Sequence, residues 1–195
     1  MDKQLYISFR EKIKFMSDYE YLKAIISYHI APVIYNSKPS SIINLYKSEH
    51  NLSLLWELYK DYIIKEYGIE YFELKKNEKN IVILFYNREL LSDTIYDASN
   101  LCFLKTFGYK ENFTLEEYLY KLKERFSEGC PHEMGLFLGF PLEDVQDFIN
   151  TPYKKCLLTG YWMVYNNLKY AEKQFEKYDE AKKQIILKVL QRNNM

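Results

Sequence analysis

The chain has 195 residues, 48% of them hydrophobic, enough for one domain to bury a core without disulfides or a structural metal. Its 27 basic and 27 acidic residues cancel, so no broad field exists to hold a nucleic-acid backbone or an anionic membrane surface, and neither partner is expected. No apolar run approaches the ~20 residues of a membrane span, and with acidic and basic residues within the first twelve positions no signal peptide is expected. Cys102, Cys130 and Cys156 form no CxxC pair, which reads as free thiols in a reducing compartment, the cytoplasm.

No internal repeat, low-complexity tract or linker divides the sequence, so residues 1–195 are read as one domain. Ser17 and Glu20 make a capping-box pattern ahead of Leu22, Ile25, Ile26 and His29, which predicts a helix over 18–29. The short apolar run 30–35 reads as a strand, with Pro39 opening the next helix. Leu55, Trp56, Tyr59, Ile63 and Tyr67 share one helical face, closed by Gly68. Residues 69–74 and the continuous apolar run 81–86 flank turn residues 77–80 and predict a hairpin with 81–86 as a central strand.

Residues 88–104 read as one helix, and Thr114 with Glu117 caps another that runs to about residue 126. Gly129 and Pro131 interrupt, and two short helices are expected around Gly139, the second opening at Pro141. Residues 160–165 are strand-like, and a charged amphipathic helix runs from Leu168 through Phe175, Tyr178, Ile185 and Val189. The sum is an α+β fold: about seven helices over a small mixed sheet of about four strands, near residues 30, 70, 83 and 162.

Residues 130–149, CPHEMGLFLGFPLEDVQDFI, and 160–165, GYWMVY, resemble a family of uncharacterised proteins from clostridia and related Firmicutes. Residues 29–43, HIAPVIYNSKPSSII, look like the counterpart of a CAPTLxGxKPAxL-type block in that family, with Ile30 standing where the family often has cysteine and Asn36 or Ser37 where it has glycine. The resemblance implies a domain of unknown function. It also implies a setting near flavodoxin-like and ferrous-iron-transport proteins, and so a redox or iron-metabolism partner.

Cys130, His132 and Glu133 put a thiol, an imidazole and a carboxylate within four residues at an interrupted turn, a set that suits nucleophilic or acid–base chemistry. A metal there would need further ligands from Cys156, Cys102 or His29; equally, His132 and Glu133 can simply cap the short helix that follows. Ser37, Lys38, Ser40 and Ser41 lie where a strand is expected to give way to a helix, an arrangement that would hold a small anionic ligand. Arg88, just past the central strand, is a second candidate anion contact. Asp144 opens a helix, where an acid is favoured without any function, and Gly135 and Gly139 suggest close backbone packing.

Tyr161 and Trp162 read as core or edge aromatics and identify no cofactor. Three functions compete on these residues. One is a small-ligand or cofactor-binding accessory protein whose Lys38 and Cys130–Glu133 blocks form one pocket; another is a small enzyme using Cys130, His132 and Glu133. The third is a protein-interaction module presenting its tyrosines and C-terminal helix.

Overall fold

A computed structural model describes residues 3–47, 50–127, 129–151 and 153–191. Helices α1 (Lys3–Ile13) and α2 (Asp18–Ile34) lead to strand β1 (Ser40–Tyr46), helix α3 (Leu52–Tyr67) and the hairpin β2 (Glu70–Lys76) and β3 (Asn80–Tyr86). There follow α4 (Arg88–Ile95), α5 (Ala98–Lys105), α6 (Leu115–Phe126), α7 (Met134–Phe137) and α8 (Leu142–Asn150), the short pair β4 (Leu158–Thr159) and β5 (Met163–Val164), and the long α9 (Leu168–Gln191). The α+β class holds, but the sheet is smaller than expected and wholly antiparallel. It has three strands in the order β1-β3-β2, and the strand expected near residue 162 is a separate two-stranded ribbon.

The central strand explains its own sequence. Ile81, Ile83 and Phe85 pack with α2 and α3, around Trp56 and Ile63, whereas Val82, Leu84 and Tyr86 pack with the layer built from α4 to α8. Both faces are covered, so the strand is apolar at every position instead of alternating. α2 is likewise enclosed: its second side meets α1 and α9 through Ile25, Ala31, Ile185 and Ile186. The layers therefore run from α1 and α9, through α2 and α3, to the sheet, and then to α4–α8.

Enclosure of α2 is also why residues 30–35 are helix and not strand. A helix buried on nearly all sides loses its 3.6-residue contrast, and its last turn, carrying Pro32, looks like a short apolar strand. The helix closes with Asn36 in the left-handed region at φ 51°. Asn36 N donates to the Val33 carbonyl at 3.0 Å and Ser37 N to the Pro32 carbonyl at 2.8 Å, the paired bonds of a Schellman cap. Pro39 then precedes a strand, not a helix. Further on, the helix expected over 88–104 is broken at Asp97, whose carboxylate accepts from Ser99 N and Asn100 N and starts α5 afresh.

Candidate functional site

The turn between α6 and α7 is built on Glu133, which is fully buried. Its carboxylate receives a two-pronged contact from the Arg125 guanidinium of α6, with Nη2 at 3.2 Å from Oε2 and Nε on Oε1. Tyr109 Oη donates to Oε1 at 3.3 Å. Burial first, and the Glu133 charge second, push the Tyr109 phenol up, so it stays a donor. A charge-assisted fork is the strong way to satisfy a buried carboxylate. It fixes the turn at its base and leaves Cys130 and His132 exposed above it. Glu133 occupies the N-cap position of α7 without a side-chain cap bond.

Above this turn opens a cavity of about 400 Å³, walled by Met134, Leu138, Phe140, Val145, Phe148 and Trp162, with Cys130, His132 and Met163 also in its lining. Gly135 lets the wall close: a Cβ there would lie 2.8 Å from Val145 Cγ2. Asp144, in the first turn of α8, is buried against the same space. Its Oδ2 accepts from Trp162 Nε1 at 2.8 Å, and its Oδ1 from Tyr165 N at 2.9 Å, Asn166 N at 3.0 Å and Asn166 Nδ2 at 3.1 Å. Asp144 thus clamps the β4–β5 ribbon to α8 and holds Trp162 in the wall. The His132 ring packs edge-on against Phe148, centroids 5.3 Å apart. Burial, then the Glu133 charge, pushes the Cys130 thiol up, so the sulfur is protonated at neutral pH.

The Lys38 block lies next to this segment. Ser40 Oγ donates to the Phe137 carbonyl at 2.6 Å, a Cβ on Gly139, at φ +74°, would fall 2.5 Å from Pro39 Cδ, and Lys38 Nζ lies 5.5 Å from the Phe140 ring centroid. The two blocks meet, yet Lys38 does not line the apolar cavity.

The expected anion cradle changes character, because residues 37–41 follow a helix C-terminus. The backbone N–H groups of Ser37 and Lys38, and Ser37 Oγ, all point at the Pro32 carbonyl, and such a helix end favours cations, not anions. Ser41 is buried in β1 opposite Phe85. Arg88 is drawn away to β2 and α6: Nε and Nη2 contact Glu70 at 2.6 and 2.7 Å, and Nη2 contacts Glu116 at 2.7 Å.

All three cysteines are free. Among the described residues no group of three or more His, Cys, Asp or Glu side chains could hold a metal ion, and no helix is long and apolar enough to cross a membrane. Sequence reasoning missed the cavity wall. Its signal was present in the helical spacing of Val145 and Phe148, but no local pattern links Arg125 to Glu133, or Asp144 to Trp162 eighteen residues on.

Fold and site together define an α+β protein with an apolar, aromatic-walled cavity built largely from residues 130–148 and closed by the β4–β5 ribbon. The chain belongs to the DUF3793 family of proteins of unknown function, which it matches over residues 26–195. It matches no curated protein and no solved structure.

Proposed function

We propose that the chain binds a small, largely apolar and aromatic ligand in the cavity lined by Cys130 and His132. The observation that carries this reading is the cavity itself: about 400 Å³ of space within walls of Phe140, Phe148, Trp162 and aliphatic side chains, the size and character of a small-molecule site. Both Asp144 oxygens are already engaged, which leaves the His132 ring, at the edge of Phe148, to orient a polar group on the ligand. The sulfurs of Cys130, Met134 and Met163 add polarisable contacts suited to an aromatic ring.

An accessory role in anaerobic redox or iron metabolism, with a redox or iron partner protein in the cytoplasm, extends this reading and rests on the family resemblance. Binding is favoured over catalysis by the turn's own chemistry. A thiol pushed up in pKa is a poor nucleophile, and a Glu133 carboxylate held between Arg125 and Tyr109 is a poor proton carrier.

Native mass spectrometry of untagged protein purified without oxygen tests the proposal. A copurified aromatic species, depleted in His132→Ala and Phe148→Ala, is the expected result. Readdition at about a hundredfold excess over Kd should stabilise the fold by roughly 2.7 kcal/mol, or about 5–10 °C in Tm. A clean apo mass, with no thermal shift across a panel of aromatic ligands, overturns it.

A further inference from the structure

Lys38 lies just past the Schellman turn and is 8% exposed. Its Nζ sits against two aromatic faces, 5.5 Å from the Phe140 centroid and 5.8 Å from that of Tyr178 on α9. No carboxylate or carbonyl among the described residues accepts from it. Every side-chain nitrogen or oxygen sealed from solvent among those residues has a hydrogen-bond partner, so the unpartnered Lys38 amine must retain access to open space.

Lys38 lines a cavity of about 290 Å³ with Leu90, Asp93 and Thr94. This cavity shares Ser37, Pro39 and Thr94 with an adjoining cavity of about 630 Å³, which continues past Phe140 and Tyr178 to Asn100, Asn167 and Gln174. Burial, and then the charge of Lys182 on α9, push the Lys38 amine down to about 8. Roughly a tenth of it is therefore unprotonated at pH 7. Desolvation and a neighbouring cation are the two devices that make a lysine nucleophilic. The titratable groups about it are Tyr178 and Lys182 from α9, with Asp93 of α4 in the lining of the same cavity.

We infer that Lys38 is a covalent site for small aldehydes or ketones, with the carbonyl carbon at its amine. The nitrogen lone pair forms the C–N bond as the carbonyl π electrons pass to oxygen, which gains a proton while nitrogen loses one. The carbinolamine then expels water as the C=N bond forms. Amine and carbonyl give imine and water, with no oxidant or reductant involved. The site is distinct from the apolar cavity, and its chemistry does not depend on the ligand proposed there.

The test is incubation of the full chain with glycolaldehyde and sodium cyanoborohydride, which reduces an imine to a stable secondary amine, followed by peptide mapping. Lys38 should be modified at least tenfold faster at pH 7.5 than the exposed Lys155 and Lys183, with a rate that rises through a midpoint near pH 8. Lys38→Arg, which keeps the charge but forms no imine, should lose the fast phase. Mapping the wild-type chain decides the matter whether or not that variant folds. Labelling of Lys38 no faster than of Lys155 and Lys183 overturns the inference.

Discussion

Glu133 and Lys38 are both buried charged side chains on adjacent blocks of the fold, and the molecule treats them in opposite ways. Glu133 is answered on both oxygens by Arg125 and on one by Tyr109. Lys38 lies against two aromatic rings and is ion-paired with no acid. A buried charge must be paired, neutralised or left to destabilise the fold. Pairing marks Glu133 as the anchor of a turn; its absence marks Lys38 as a group kept available. The set that looked most like chemistry in the sequence, Cys130, His132 and Glu133, is thus partly scaffold, while an ordinary lysine beside a proline carries the unusual amine.

The sharpest way to break this contrast is Arg125→Ala. It strands the Glu133 carboxylate in the interior, and loss of one partner of a buried pair costs about 3–5 kcal/mol. Urea denaturation should show that loss; a change under 1 kcal/mol would mean that water reaches Glu133 and that the turn is not anchored there.

Lys38 should show the opposite behaviour, read through pH. Its folded pKa of about 8 lies below the ordinary 10.5, so between those values the unfolded chain binds the extra proton and stability rises with pH. Below about 8 both states are protonated, and the folded state bears the full penalty of a buried charge. Relative to Lys38→Met, the wild type should gain about 3 kcal/mol between pH 8 and 10.5 and nothing below pH 8. Lys182, also held down by burial, is present in both proteins and drops out of the difference to first order. A flat difference across that range would remove the special status of Lys38.

Asp144 falls between the two, a buried acid answered by dipoles and not by a cation. In Asp144→Asn, an NH₂ group would face Trp162 Nε1 or the donors of Tyr165 and Asn166. The expected cost is about 2 kcal/mol, from a buried donor left without an acceptor, with the wall at Trp162 loosened. A shift in tryptophan emission that is reversed by the cavity's ligand would show the two effects together.

Sequence alone reached those parts of the fold that are decided locally. Thr114 and Glu117 form the complete capping box, Gly68 closes α3 in the left-handed region, and β3 is the central strand. It failed where tertiary packing erases local contrast. α2 is apolar on nearly every side, so its end imitated a strand, and Pro39 imitated a helix start just before β1. The candidate site was legible in composition and not in partnership. Cys130 and His132 do line the cavity, but Glu133 is answered by Arg125 across the Gly129 interruption, and neither periodicity nor a motif encodes that pairing. The anion-site reading of Ser37, Lys38, Ser40, Ser41 and Arg88 depended on a helix beginning where one in fact ends.

Arg88 supplies the smallest effect and the most direct control for the largest. It grips Glu70 with the same two nitrogens that Arg125 uses on Glu133, and adds Glu116 as a second acid. Here, however, the side chains of arginine and both acids are 43–51% exposed. Water already solvates each partner, so Arg88→Ala should cost under about 1 kcal/mol by denaturation, and less in high salt. Ligand binding in the apolar cavity, which Arg88 does not line, should be untouched. Since the two forks use the same atoms, the difference between Arg125→Ala and Arg88→Ala sets the buried fork against the exposed one, with Glu116 and Tyr109 as their remaining differences in partners. If the two losses come out equal, solvent exposure is not what separates anchor from ornament in this protein, and the argument that singles out Lys38 loses its footing as well.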